Sequence, residues 1–505
     1  MLLHHAFEAS GRRLPDKTAV VCGEARVSYR ELMQRVDALA ALLQAHGLLR
    51  GDRVALLLES SVEFAVAVHA VLKTGAVFVP ISPLTKADKL AYMLNDTRAR
   101  AVLTDARLEH VWRDALTRSP SVAACVVRGL ASADGTNLPW PDTAAHAPLM
   151  AEPCIDQDLA AIIYTSGTTG EPKGVMLTHL NMLSAWASVQ AYLGLREDDV
   201  IGLALSPSFS YGLYHVLIGL GVGATVVLEG SAAFPVRLVE RLVQERVTVF
   251  PGVPTLYSAI LALSNLAGFD LSSLRIVTNA AAALSDQHVR LIHELLPAAR
   301  LYSMYGMTEC KRISYLPPEQ LALRPTSVGR GLANQEAWLI DETGQRLPNP
   351  ATGELVVRGS HVMRGYWDKP AETARTLRPG PLPGESVLHT GDIFRTDAEG
   401  WLYFVGRRDD IIKSRGEKVA PREVENSIYA IDGVLDCAVI GVPDERLGQA
   451  VKAFVVLKPG VALTEREVIR HCLARLENYM APKSVVFVAD LPRTDSGKIR
   501  KLGLC

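Results

Sequence analysis

Short β-branched runs alternate with longer stretches of helical period along most of this chain. Thr18 to Val21 precedes Tyr29 to His46, Val54 to Leu58 precedes Val62 to Lys73, Phe78 to Pro80 precedes Lys86 to Asp96, and Ala101 to Thr104 follows. Continuous apolar strands separated by helices fit largely parallel sheets, because each crossover packs a helix back onto the sheet. The rhythm resumes at Ala160 to Thr165, Val200 to Ala204, Thr225 to Leu228, Val247 to Phe250, Arg275 to Thr278 and Arg300 to Met304. It predicts two doubly wound α/β layers. From about Ser327 the texture changes to short strands with turn signals at Asp341 to Gly344, Pro348 to Gly353 and Ala398 to Gly400, which predicts a mostly antiparallel β-subdomain. After Gly406 a compact α+β unit of about a hundred residues closes the chain. The expected organisation is a large N-terminal domain, residues 1–406, of two α/β layers plus the β-subdomain, followed by a small mobile C-terminal domain, residues 407–505.

Composition agrees with a folded enzyme-sized protein. At roughly 150 residues per domain, 505 residues leave room for about three compact units. Apolar residues make up 49% and charged residues 21%, which excludes extended disorder. Lys and Arg number 53 against 54 Asp and Glu, a formal charge of -1 that supplies no long-range attraction to nucleic acid or anionic lipid. Seven cysteines are scattered without a C-x-x-C pair, so neither a disulfide frame nor a zinc site is expected. Met1 to Pro15 carries no long apolar core and does not read as a secretory signal. Tyr211 to Leu228 is free of Asp, Glu, Lys and Arg, but its glycines and His215 predict a buried helix, a turn and the strand Ala224 to Leu228. A cytoplasmic protein without membrane insertion is expected.

The densest chemical signal is YTSGTTGEPKGV, from Tyr164 to Val175, directly after the apolar strand Ala160 to Ile163. Gly167, Gly170 and Gly174 let backbone amides approach an anion. Thr165, Ser166, Thr168 and Thr169 can donate to phosphate oxygens, and Lys173 adds a mobile positive charge. This is a polyphosphate cradle. It is not a Walker loop, which needs Lys followed at once by Ser or Thr, whereas Lys173 precedes Gly174. The cluster Gly219, Gly221 and Gly223 runs from helix into strand, the wrong order for a dinucleotide fingerprint.

Four further motifs follow: YGMTE at Tyr305 to Glu309, TGD at Thr390 to Asp392, GRRDDIIKSRG at Gly406 to Gly416, and PRTDSGKIR at Pro492 to Arg500. With the cradle, in this order and spacing, the chain resembles the adenylate-forming superfamily of acyl-CoA synthetases, adenylation domains and luciferases over nearly its whole length. The resemblance implies that a carboxylic acid attacks the α-phosphorus of ATP, pyrophosphate leaves, and the acyl-adenylate passes its acyl group to the thiol of coenzyme A. The alternative acceptor is the phosphopantetheine of an acyl or peptidyl carrier protein. The reaction needs screening of anion repulsion and in-line positioning, which cations and fixed dipoles supply.

Residue by residue, the resemblance assigns Mg²⁺ to Glu309, the α-phosphate to Thr308, and the adenine to Tyr305, beside Gly306. Asp392 is similar to the carboxylate that takes both ribose hydroxyls, and Arg407 to the arginine that helps hold the nucleotide. Lys498 resembles the catalytic lysine that bridges the substrate carboxylate and the α-phosphate. Asp409 falls where the family has its hinge, between an adenylating pose and a thioester-forming pose. Gly416 would let a pantetheine arm pass close to backbone, and Lys413 matches a position that serves the second half-reaction in plant coumarate-type ligases.

The acyl pocket is expected at Phe209, Ser210 and Tyr211, within SPSFSYGL from Ser206 to Leu213. Ser210 stands where many acyl-CoA ligases carry histidine, and no aspartate is present there to hold an α-ammonium, so an amino acid substrate is not favoured. His215 is read as a packed or pocket-edge histidine. Asn279 to Leu284 occupies the place of Ser-Gly-Gly-Ala-Pro-Leu, and the methyl groups of Ala281 and Ala282 predict an acid pocket narrower than in long-chain ligases. Lys311 and Arg312, just after Glu309, are read as a solvated pair, with the alternative that one of them meets a distal acidic group on the substrate or acceptor.

Overall fold

The computed structural model describes residues 1–141, 154–165, 172–230, 234–280, 284, 286–414, 417–444, 446–493, 499–501 and 503–504. Among the described residues four sheets form. The first has the parallel strands Arg53–Leu57, Val77–Ile81, Ala101–Asp105 and Ala124–Arg128 at its centre. The second is built on the parallel strands Val200–Leu203, Thr225–Leu228, Val249–Gly252, Ile276–Asn279 and Arg300–Met307. Both were expected from their unbroken apolar runs, which suit strands covered on both faces.

Helix boundaries follow local capping. Ser28 accepts from the Glu31 amide at 3.2 Å and its own amide donates to the Glu31 carboxylate at 2.9 Å, which starts the helix Tyr29–Ala45. Thr178 and Asn181 do the same for His179–Leu193, and Gly194 ends that helix at φ 58°. The helix Val62–Lys73, apolar nearly all round, is buried from Phe64 to Leu72 and touches strands of both large sheets. Ser210–Val222, the stretch that resembled a membrane span, is a buried helix followed by the strand Thr225–Leu228. No described helix is long and apolar enough to cross a membrane.

The third sheet is antiparallel, with Gln335–Ile340, Thr352–Gly359 and Ser386–Thr396 in register and Leu402–Arg407 paired to the last of these. The fourth contains Ile412–Ser414, Glu417–Val419, Val434–Asp444, Gly448–Leu457 and Ser484–Phe487, with a separate small core around Val424, Val439 and Val468. Between the third and fourth sheets lies only the short turn Arg408–Asp410 and the residue after it. Two elements departed from the sequence reading. Met1 to Pro15 contains the helix Leu3–Arg13, and the strand Thr18–Cys22 turns back at Gly23 into a hairpin with Ala25–Ser28.

Candidate active site

The strand Arg300–Met307 runs further than its apolar stretch suggested. It ends in the turn Thr308–Glu309, and Cys310–Leu316 returns antiparallel to it. This turn lies at the carboxyl end of the parallel strands, the usual binding edge of an open α/β sheet. It borders a cleft of about 700 Å³ lined by Thr165, Tyr305, Gly306, Thr308 and Glu309, and by Asp392 and Arg407 from the third sheet. The fourth-sheet unit closes the other side with Arg422, Glu425, Asp436, Arg493 and Lys501.

Asp392 and Arg407 are cross-strand partners on Ser386–Thr396 and Leu402–Arg407. The Tyr305 hydroxyl donates to Oδ2 of Asp392 at 2.5 Å, while Nε of Arg407 lies 3.2 Å from Oδ1. The Asp392 carboxylate raises the pKa of Arg407, and burial, then the same carboxylate, pushes the Tyr305 phenol well above its usual value. Tyr305 thus donates to one carboxylate oxygen, and Arg407 forms an ion pair with the other.

Glu309 is 8% exposed and accepts a 2.9 Å hydrogen bond from the Tyr366 hydroxyl. Tyr366 sits on the short strand Gly365–Tyr366, antiparallel to Lys173–Thr178, and Nζ of Lys173 lies 5.5 Å from its ring centre. One tyrosine thus connects the lysine of the cradle motif to the carboxylate of the turn. Sequence reading missed Tyr366, because nothing in its local context marks it. It also missed Arg422, Arg493 and the hydrogen bond of 2.8 Å between Ser258 and His288 on the cleft wall.

Ser166, Gly167, Thr168, Thr169, Gly170, Ala281, Ala282, Gly416 and Lys498 lie outside the described residues, as does the expected narrowing of the acid pocket. Arg493 and Ile499, which flank the stretch containing Lys498, line the cleft and pair with each other as a bridge. Asp409 is in the turn between the third and fourth sheets. Lys413 is exposed on Ile412–Ser414, with its amide donating to Gln449 at 2.7 Å, and does not line the cleft. Ser210 opens the helix Ser210–Val222 behind Phe209. Tyr211 is buried with its hydroxyl 2.7 Å from the Thr278 hydroxyl, and His215 Nδ1 lies 2.8 Å from the Tyr211 carbonyl oxygen.

The reading of Lys311 and Arg312 as a solvated pair is wrong. They are 5% and 2% exposed, and both lie over the ring of Tyr211. The strand they share is covered by helices, which a run of charge in sequence does not reveal.

Residues 7–367 match the AMP-binding enzyme family and residues 423–498 match the AMP-binding enzyme C-terminal domain. The chain is 36% identical over 494 residues to a feruloyl-CoA synthase of Amycolatopsis, covering 97% of this chain and 96% of that one. It is 32% identical over 508 residues to tyrocidine synthase 2 of Brevibacillus parabrevis, covering 99% of this chain but only 14% of that much longer protein. The solved anthranilate CoA ligase AuaEII in complex with anthranoyl-AMP superposes with a TM-score of 0.90 at 28% identity, over 99% of this chain and 95% of that one. With the motifs, the two α/β layers and the cleft in one chain, the protein belongs to the AMP-binding enzyme family.

Proposed function

We propose that this chain is an AMP-forming acid–thiol ligase that activates a carboxylic acid with ATP to an acyl-adenylate, releases pyrophosphate, and transfers the acyl group to coenzyme A. The observation that carries the reading is the Asp392 carboxylate held by Tyr305 and Arg407 on the same cleft wall as Thr308 and Glu309. An acceptor-only carboxylate fixed from two sides suits a pair of ribose hydroxyls, and Tyr305 beside it offers an aromatic face to the adenine. Thr308, Thr165 and the cradle from Ser166 to Gly170 donate to the phosphates, and Lys173 adds charge.

Oxygen donors at Glu309 and Thr308 fit a hard cation, and among the described residues no group of three or more His, Cys, Asp or Glu could hold a metal alone. Glu309 would therefore hold Mg²⁺ together with substrate phosphates, and the ion would neutralise phosphate charge. Tyr366 fixes the orientation of Glu309 through its hydroxyl. Lys498 supplies the charge that brings the substrate carboxylate to the α-phosphate, as the cleft position of its neighbours Arg493 and Ile499 supports. The division at Gly406 and Arg407, with Asp409 as pivot and Gly416 and Lys413 presented in the second pose, accounts for Lys413 standing away from the cleft. Phe209, Ser210 and Tyr211, with Ala281 and Ala282, form the acyl side of the site.

A carrier-protein thiol is the second reading, favoured by the match of 99% of this chain to part of tyrocidine synthase 2. Mass spectrometry of a reaction with ATP, Mg²⁺, a pool of carboxylic acids, and either coenzyme A or a phosphopantetheinylated carrier distinguishes the two. Acyl-CoA with AMP supports the first reading, and acyl carrier alone supports the second. ADP as the product would sink both.

A further inference from the structure

The TGD motif folds as a bulge. Between the antiparallel strands Thr352–Gly359 and Ser386–Thr396, Glu354 faces Ile393 and Val356 faces His389, so Leu355 alone stands opposite Thr390, Gly391 and Asp392. A bulge takes backbone groups out of the ladder, and buried ones need other partners. The Thr390 hydroxyl donates to the Leu355 carbonyl oxygen at 2.7 Å and accepts from the Asp392 amide at 3.1 Å. Gly391, at φ +69°, donates its amide to Oε1 of Glu354 at 3.0 Å. The other oxygen of Glu354 accepts from Nη1 of Arg408 at 2.9 Å.

Three consecutive residues then have different attachments. Arg407 pairs with Asp392, Arg408 pairs with Glu354, and Asp409 follows in the turn toward the small unit. Rotation of that unit directly beside Arg407 would drag its guanidinium off Asp392, because backbone torsion at one residue reorients the next. A tether on the residue between clamp and pivot prevents this. Glu354 is 8% exposed, so its bond to Arg408 is less screened than that of a surface pair, although Arg408 itself is half-exposed. His389 Nδ1 lies 3.9 Å from Oε1 of Glu354, but burial, and then Arg378, lower its pKa, so it is neutral at pH 7 and does not compete with Arg408.

We propose that Glu354 is a positioning residue between the nucleotide site and the hinge. Through Gly391 it sets the bulge that carries Asp392. Through Arg408 it fixes the near end of the hinge, so that the small unit turns at Asp409 while Arg407 keeps its hold on Asp392. The acyl-adenylate is thereby retained while the unit moves to the thioester-forming pose. This inference rests on the ligase reading above, with its pivot at Asp409.

The test separates retention of the intermediate from binding of ATP. Glu354→Gln keeps an acceptor for the Gly391 amide and removes the charge that holds Arg408, whereas Glu354→Ala removes both. Each enzyme receives ATP, Mg²⁺, the acid that the native enzyme activates fastest, and whichever thiol it acylates, coenzyme A or the phosphopantetheinylated carrier. Acyl-adenylate passing an ultrafiltration membrane is measured against thioester formed. Glu354→Gln and Arg408→Met should raise the escaping fraction by at least about fivefold while the KM for ATP in pyrophosphate exchange stays within about twofold. Arg408→Lys should recover part of the retention, and the double variant should leak no more than either single one. Glu354→Ala should in addition raise the KM for ATP by at least about threefold. Arg408→Met, at a half-exposed position, keeps the test where a Glu354 variant fails to fold. Native-like retention in folded Arg408→Met, or equal losses in exchange and thioester formation, would overturn the inference and leave the ligase reading intact. No acyl-adenylate from native enzyme that binds ATP in calorimetry would remove the ligase reading and this inference together.

Discussion

The Tyr305 hydroxyl donates a 2.5 Å hydrogen bond to Asp392, although the two residues stand 87 positions apart and lie in different sheets. With Arg407 Nε 3.2 Å from the other oxygen, the contact ties the turn-bearing strand of the second α/β layer to the β-subdomain. The protein's own groups orient the carboxylate, so in the proposed role its hydrogen bonds to a ribose would cost little reorganisation.

Asp392→Ala is expected to raise the KM for ATP by at least about tenfold, the scale of one lost charge-assisted hydrogen bond. Tyr305→Phe, which keeps the ring and removes only the hydroxyl, should raise it by about threefold. Exchange assays at varied ATP read both. An unchanged KM in folded Asp392→Ala would take the carboxylate out of nucleotide binding.

Lys498→Ala should cut adenylate formation by at least about a hundredfold while ATP still binds, as when one preorganised charge is removed from a reacting centre. Single-turnover measurement of acyl-adenylate against calorimetric ATP affinity separates the two effects. Near-native adenylate formation would refute the assigned role.

Asp409→Pro should spare adenylation and impair thioester formation, because a fixed φ at the pivot hinders rotation of the small unit. The two half-reactions are measured separately, by pyrophosphate release and by thiol consumption. Equal loss of both would argue against a hinge at this turn.

Acid sensitivity should come from buried histidines. His69 is 1% exposed, against the ring of Phe7 at 4.3 Å, and burial lowers its pKa from 6.5 to about 4. His179 is lowered to about 4 and His4 to about 3, both chiefly by burial. The unfolded chain then binds more protons than the folded one below pH 6.5. Stability is full above that value and declines as pH falls toward about 4, by up to about 3 kcal/mol per histidine. His69→Leu should flatten urea-unfolding midpoints between those pH values, and an unaltered slope would show that His69 is not among the causes.

Gly329→Ala should destabilise the fold by at least about 2 kcal/mol. Gly329 has φ +88°, and an added Cβ would fall 1.6 Å from the carbonyl oxygen of Tyr315. Thermal unfolding compared with native protein reads the loss. A change in Tm within error would mean that the strand Cys310–Leu316 can shift away.

Much of this architecture was legible in the chain. The parallel strands declared themselves as unbroken apolar runs between helices, and the stretch from Tyr29 read as helical is the helix Tyr29–Ala45. Thr308, Glu309, Asp392 and Arg407 were found by motif, and the cleft gathers all four. The hairpin Thr18–Cys22 with Ala25–Ser28 was not seen, since strands of that length carry little periodicity.

By itself, then, the sequence determined the layer class, the order of the motifs and the kind of chemistry, because short-range periodicity, capping and glycine placement act between near neighbours. Tertiary structure decided what those residues meet. Tyr366 reaches Glu309 across sheets, and Lys311 and Arg312, which read as a solvated run, lie over Tyr211 from a helix about a hundred positions earlier. Burial of a charge depends on which remote elements pack above it, and no local pattern encodes that.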